Sequence, residues 1–365
     1  MSGRPSGEAR APEGHPVHTL MAEHEILLDF AEELGLTASA IGKAGRAEAC
    51  GEELEHLQDI IEHFRESEKH YLREENGLFP VMERHGITGP TAQMWTEHNE
   101  IREVKKRLYS LAEAAVRGDL KGAAGLEALS GELRAMLESH FTKENSVLFP
   151  MALSTLTGGE WAEVASSFDE IGYCCFTPAG ARGAGGAVKE GRGTGAGAGA
   201  EGAETAAERK VAGKGRGRNS GEGMEMREMG PEKELVELRT GRFSTEELES
   251  VLNTLPVDIT FVGADDTVRY YSDGPHRIFP RTLAIIGRKV QNCHPQKSIH
   301  VVQRILDDFR AGRRDVAEFW INMGGRVIHI RYFAVRRDGR YLGTLEVSQD
   351  ITEIQKIRGE KRLLD

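Results

Sequence analysis

Two stretches of the chain, HYLREENGLFPVM at residues 70–82 and HFTKENSVLFPMA at residues 140–152, are almost the same phrase written twice. Each sets a histidine four places ahead of a glutamate and closes on Leu-Phe-Pro. Positions i and i+4 of a helix lie one above the other on one face. His70 with Glu74, and His140 with Glu144, therefore each project an imidazole and a carboxylate to the same side.

Apolar periodicity around these pairs predicts four amphipathic helices. The first carries Val17, Leu20, Met21, His24, Leu27, Leu28, Ala31 and Leu34 and stops before Gly35. The second spans 47–76, with Leu54, Leu57, Ile61, Phe64 and Tyr71 on its stripe, and is closed by Gly77 and Pro80. The third begins after Pro90, turns Met94, His98, Ile101, Leu108 and Ala112 inward, and ends near Gly118. The fourth, 120–147, aligns Leu126, Leu133, Leu137, His140 and Glu144 ahead of Pro150. Short connections make successive helices antiparallel, which is an all-α up-down-up-down four-helix bundle.

His24 and His98 fall early in the first and third helices, His70 and His140 late in the second and fourth. In such a bundle all four lie at the same end. A single His/Glu pair is commonplace on a helix surface, and a lone histidine on an apolar stripe is commonly a satisfied core residue. The coincidence is what points elsewhere, because the helix pair is itself repeated: His24 precedes His70 by 46 positions and His98 precedes His140 by 42. Buried histidine and glutamate need partners, and a pair of metal ions would satisfy all six side chains at once.

The order His, His-x-x-x-Glu, His, His-x-x-x-Glu, with Leu-Phe-Pro after both pairs, resembles the hemerythrin-like HHE cation-binding family over residues 17–176. The resemblance implies a bundle holding two non-haem iron ions, with metal ligands His24, His70, Glu74, His98, His140 and Glu144 and with both glutamates bridging. Two departures set the chain apart from oxygen-carrying members. Where those have a further histidine one turn after the third-helix ligand, Arg102 stands here, and their last carboxylate is an aspartate at a spacing of five instead of Glu144 at four. The expectation is therefore a regulatory or repair-type member. Two octahedral ions offer about twelve positions, of which the six side chains fill about eight, so dioxygen, nitric oxide or peroxide would find room. His63 and His56 lie one and two heptads before His70 and are expected in exposed or core roles. Tyr71 is placed to tune the site.

The second half changes period. A short helix (STEELESVLNTL) leads to DITFVGADDTVRYYS, read as two strands around Asp265-Asp266. The helical segment SIHVVQRILDDFRAG follows. Then come three strands, VAEFWINM, RVIHIRYFAVR and YLGTLEVSQDI, joined at Gly324-Gly325 and Asp338-Gly339. This succession resembles a PAS domain, an α+β fold on an antiparallel sheet, which implies ligand sensing, homodimerisation or signal relay. Haem could be held there by His276, His294 or His300. A flavin photosensor would need a reactive Asn-Cys-Arg-Phe-Leu-Gln segment. GRKVQNCHPQKS supplies Asn292 and Cys293 but then His294-Pro295, which speaks against flavin photochemistry. The pairing of the two domains also resembles a prokaryotic family that commonly opens with a further small helical domain, for which these residues show no counterpart.

Composition supplies the boundaries. Residues 1–16 read as loose, 17–176 as the bundle, 177–237 as a Gly/Ala-rich flexible linker and 238–365 as the PAS domain with a short C-terminal tail. Residues 17–176 carry 29 acids and 14 bases, a net −15, while residues 238–365 carry 17 acids and 21 bases, a net +4. Neither half has the basic footprint of a nucleic-acid binder, and the opposite signs permit docking of the halves. With no apolar run of membrane-spanning length and no leader pattern, a cytoplasmic protein is expected. Cys50, Cys174, Cys175 and Cys293 are too few and too oddly placed for a disulfide framework.

The reading that follows is a cytoplasmic sensor in which a di-iron site meets oxygen, nitric oxide or a redox signal and the PAS module relays it to a separate output protein. Two alternatives stand beside it. One is a di-iron enzyme or iron donor acting on peroxide, nitric oxide or damaged iron centres. The other is a PAS scaffold with a structural metal.

Overall fold

The protein is described by a computed structural model covering residues 11–44, 49–182 and 235–360. The expectations for residues 1–10 and for most of the Gly/Ala-rich linker lie outside the described residues.

Helix α1 (Pro16–Ala44) runs through Gly35, where the sequence pattern suggested a stop. Leu34, Ala38 and Ile41 continue the buried stripe past that glycine. Burial of this kind outweighs the roughly 1 kcal/mol that an interior glycine costs a helix. The second helix is a relay of α2 (Gly51–Glu66), α3 (Glu68–Arg73), a π-helical turn at Glu74–Leu78 and α4 (Phe79–Arg84). Pro80 does not end it. The π turn hands over to α4 with Phe79 N–H donating to the carbonyl of Glu74, and Pro80 sits in the first turn of α4, where a missing N–H is tolerated.

The third helix is α5 (Gly89–Val116). The fourth repeats the device of the second: α6 (Ala123–Lys143), a π turn at Glu144–Leu148, then α7 (Phe149–Thr155) across Pro150. A further helix that the periodicity did not separate, α8 (Gly158–Ile171), starts on a capping box between Thr157 and Glu160. Beyond it, residues 172–182 remain packed on the bundle, with Thr177 and Ala181 buried, so packing extends past the expected boundary at 176.

The near-identity of the repeats breaks where α8 lands. A Cβ on Gly77 would lie 3.2 Å from two ring carbons of Phe168, whereas the matching Val147 is 52% exposed. Two apolar clusters fill the bundle. One is built on Leu27, Leu34, Leu57, Phe64, Ile101, Leu108, Leu133 and Phe141. The other, on Val17, Leu20, Leu78, Phe79, Met82, Leu148, Phe149 and Phe168, caps the end towards α4, α7 and α8.

Strands β1 (Leu235–Leu238) and β2 (Gly241–Ser244) form a small antiparallel hairpin across the expected linker boundary at 237, which the sequence pattern did not suggest, followed by α9 (Thr245–Thr254). The remaining strands, β3 (Asp258–Gly263), β4 (Val268–Tyr271), β5 (Val316–Met323), β6 (Arg326–Arg337) and β7 (Arg340–Asp350), make one antiparallel sheet in the order β4-β3-β7-β6-β5. Helix α10 (Gln296–Arg310) crosses between β4 and β5. Gly324-Gly325 and Asp338-Gly339 have positive φ at both positions, the handedness that two-residue hairpins demand. Among the described residues, those up to 182 and those from 251 onward form one compact unit, while β1 and β2 belong to another. Within the first unit Ala284, from the segment between β4 and α10, joins the capping apolar cluster of the bundle. No helix of the described residues is long and apolar enough to cross a membrane.

Candidate metal centre

The two π turns decide where the carboxylates go. A π turn places an extra residue in the helix, and both candidate ligand glutamates, Glu74 and Glu144, stand at its first position, directly after the α-helical turn that carries His70 or His140. His24 and His98 come from the early turns of α1 and α5. The structure brings all six expected side chains together, every one at most 1% exposed, in a polar layer between the two apolar clusters. They fall into two sets of potential metal ligands, His24, His70, Glu74 and Glu144, and then Glu74, His98, His140 and Glu144. Within each set the ligand atoms lie within 4.8 Å of one another, and Glu74 and Glu144 belong to both.

Each imidazole is turned by an acceptor at its outer nitrogen. His70 Nδ1 donates to Glu23 at 2.7 Å, His98 Nδ1 to Glu75 at 2.9 Å, His140 Nδ1 to Glu97 at 2.9 Å and His24 Nδ1 to the Asn145 side-chain oxygen at 3.0 Å. The proton on Nδ1 leaves Nε2 of a neutral ring as a lone pair aimed inward. His24 Nε2 and His70 Nε2 face each other at 3.2 Å. Two lone pairs at that distance repel unless a cation lies between them and the carboxylates. Both oxygens of Glu74, both of Glu144, and Nε2 of His98 and of His140 are buried without a hydrogen-bond partner. Orphaned buried groups of this kind cost roughly 1–3 kcal/mol each, more when charged. They converge here on two shared points, so the donor set fits a pair of cations bridged by carboxylates.

Charge around the layer agrees. Burial pulls the His140 pKa down, but carboxylates led by Glu144 outweigh it and push the value up, so the centre calls for positive charge. The outer carboxylates are fixed as anions. Burial opposes ionisation of Glu23, yet Arg73 first and then His70 hold it at about 2. Arg102 and then His98 do the same for Glu75, also at about 2. For Glu97, hydrogen bonds from His140, Gln93 and Lys143 overcome burial and hold it at about 2.

These supporting residues were not read from the sequence, although a signal was present: each is the chain neighbour of a candidate ligand. Glu23 precedes His24, Glu97 precedes His98, Glu75 follows Glu74 and Asn145 follows Glu144. The arrangement has pseudo-twofold symmetry. Glu23 on α1 steers His70 of the second helix as Glu97 on α5 steers His140 of the fourth. Arg73 bonds Glu23 as Lys143 bonds Glu97. Arg102, the residue standing where oxygen carriers have a histidine, binds Glu75 at 2.8 and 3.1 Å and Glu68 at 2.7 Å. Its counterpart in α1 is Leu28, and there the acceptor is the neutral Asn145, which needs no cation.

The two halves differ in their cover. On the His70 side, Thr177 donates to Glu23, Arg73 donates to the Gly172 carbonyl at 3.1 Å, and the Phe168 and Tyr173 rings lie 5.4 and 5.1 Å from the guanidinium. On the His140 side a surface groove of about 380 Å³, lined by Glu97, Glu100, Glu132, Ser139 and Lys143, reaches the histidine.

The other expected residues lie apart from the layer. His63 stacks on Phe30 at 4.6 Å and its Nδ1 lies 3.4 Å from Cys175 Sγ, and His56 sits at the surface 3.7 Å from Glu33. Tyr71 is buried, its ring 4.7 Å from that of His98. In the sheet domain His294 Nδ1 is tied to the Val290 carbonyl at 2.8 Å. It lines, with Val262, Leu306, Tyr332 and Glu346, a cavity of about 20 Å³, room for one water molecule. His276 and His300 do not line it.

Comparison with known proteins matches this architecture in the same order. The model of the hemerythrin HHE cation binding domain matches residues 15–152, and that of a PAS domain matches residues 248–352. The chain is 27% identical over 185 residues to an uncharacterized protein of Mycobacterium tuberculosis (strain H37Rv), spanning 49% of this chain and 69% of that one, and equally to one of Mycobacterium bovis. Among solved structures, a C-terminal domain from Streptococcus mutans is 33% identical, covering 34% of this chain and 98% of that one with a TM-score of 0.33. A sensory box sensor histidine kinase from Vibrio cholerae is 12% identical, covering 29% and 89%, with a TM-score of 0.23. The chain thus carries a hemerythrin HHE cation binding domain followed by a PAS domain.

Proposed function

We propose that this protein is a sensor in which two iron ions, held by His24, His70, Glu74, His98, His140 and Glu144, respond to oxygen, nitric oxide or a redox change and the PAS domain passes the response on. The observation that carries the reading is the set of buried, unpartnered ligand atoms on Glu74, Glu144, His98 and His140, arranged as two groups that share both carboxylates. Iron bound there would supply a redox-active centre with positions left over for a small diatomic ligand. The protein's own part is to fix the imidazoles through Glu23, Glu75, Glu97 and Asn145 and to keep the layer dry between two apolar clusters. Output in this reading passes through self-association of the PAS domain or through a separate partner in the cytoplasm.

The groove that reaches His140 favours a second reading, turnover of a small substrate as a di-iron enzyme. One experiment separates the two. Protein purified without oxygen is assayed for metal and visible absorption, then exposed to air and to nitric oxide. The sensor reading expects two irons per chain and a spectrum that changes with gas while little gas is consumed over minutes. Sustained consumption supports the enzyme. Protein that holds only zinc, or no metal, refutes both.

A further inference from the structure

Pro80 has no N–H, so the carbonyls that an α or a π register would pair with it, those of Asn76 and Glu75, lose their ordinary donor. Donors arrive from a segment more than 200 residues away. Thr282 Oγ1 donates to the Asn76 carbonyl at 2.5 Å and Arg288 Nη1 to the Glu75 carbonyl at 2.8 Å. The rest of the Arg288 fork closes on Glu83, with Nε and Nη2 each 2.8 Å from a carboxylate oxygen. Its face lies 5.0 Å from the Trp95 ring, and Asn292 adds a hydrogen bond to Glu83 at 3.1 Å. The Arg288 side chain is 2% exposed. The other repeat gets no such burial: Glu75, Asn76 and Gly77 are buried, while Ser146 and Val147 are exposed.

We propose that Arg288 is the positioning residue through which the PAS domain reads the metal centre. It grips the main chain of Glu75, which sits next to the ligand Glu74 and whose own carboxylate accepts the Nδ1 proton of the ligand His98. A shift of Glu74 or of the His98 ring at the centre moves the π turn by way of residue 75. The planar guanidinium is held at all three nitrogens, so it follows that movement or loses a buried, charge-assisted hydrogen bond. Thr282, on the adjoining carbonyl, makes the attachment two-point and fixes its direction. The coupling is reciprocal: whatever displaces the segment 281–293 alters the affinity of the centre. The inference rests on the sensor reading above, and it names the route by which the response crosses.

The test is amide hydrogen exchange on the full chain, metal-free and loaded with Fe(II) in the absence of oxygen, for the parent, Arg288→Lys and Thr282→Val. Lysine keeps the charge and loses the fork, and valine removes one hydrogen bond at almost unchanged shape, so the fold survives in at least the second variant. In the parent, loading slows exchange about tenfold or more both at 74–82 and at 281–293. In the variants the first effect persists and the second falls to within about twofold. Protection of 281–293 that survives both substitutions overturns the proposal. So does a parent in which 74–82 responds to iron and 281–293 does not, an outcome that leaves the sensor reading standing. A chain that takes up no iron refutes that reading and the inference with it.

Discussion

Lys105 offers a stringent check on the energetics. It projects from α5 into the bundle, is 3% exposed, donates to Ser67 Oγ at 2.7 Å and lies 5.0 Å from the Tyr71 ring centre. Burial, only partly countered by Glu68, depresses its pKa to about 8. Against an ordinary lysine near 10.4, that depression means that the charged form costs the fold about 3 kcal/mol at pH 7. Because the folded pKa lies below the unfolded one, the unfolded chain binds more protons between about pH 8 and 10.4, and stability rises with pH across that window. Lys105→Met removes the charge and keeps the bulk. It gives up the bond to Ser67, worth about 1 kcal/mol, while the Ser67 hydroxyl stays paired with the Phe64 carbonyl at 2.8 Å. The variant should therefore be about 1–2 kcal/mol more stable at pH 7, and its advantage should vanish above about pH 10. Urea denaturation of both chains at pH 7, 8.5 and 10 measures this. A variant less stable at pH 7, or a difference that does not change with pH, refutes the reasoning.

The shared carboxylates predict unequal losses, since Glu144→Ala should lower metal content at both positions while His24→Ala empties one, read by metal analysis of dialysed protein. Glu97→Gln replaces the anion that steers His140 and should weaken metal binding about 10- to 100-fold in competition with a chelator, with the ligand set itself intact. Gly77→Val rebuilds the second repeat in the first and drives a side chain into Phe168, so it should cost about 1–3 kcal/mol by thermal melting. The converse exposed change Val147→Gly should cost only about 0.3–0.5 kcal/mol, the difference in helix propensity between valine and glycine.

The repeated His-x-x-x-Glu was legible because helical geometry converts a spacing of four into a shared face, and because two copies with two further histidines leave few arrangements that satisfy all six. The apolar stripes and the Gly-Gly and Asp-Gly turns were legible for the same local reason. Gly35 and Pro80 misled because their intrinsic preferences are weaker than what overrides them, a buried stripe continuing to Ile41 in one case and a π turn in the other. Glu23, Glu75, Glu97 and Asn145 went unread since a charged neighbour of a ligand is indistinguishable from a solvated one until the partner helix is in place. The seat of Arg288 on Glu83 is longer-range still. The opposite net charges of the two halves hinted at it, but only the fold shows which cation meets which anion.

The uneven cover of the two matched halves gives the centre a direction. Residues 172–182 and α8 close the His70 flank, while the flank beside His140 opens onto a groove edged by a half-exposed Lys143. Two candidate sites alike in their side chains thereby become distinguishable to anything arriving from solvent, which meets the His98 and His140 set before the other. If metal ions are held there, filling and emptying would proceed inward from one doorway, so a half-filled centre would have a defined orientation within the fold.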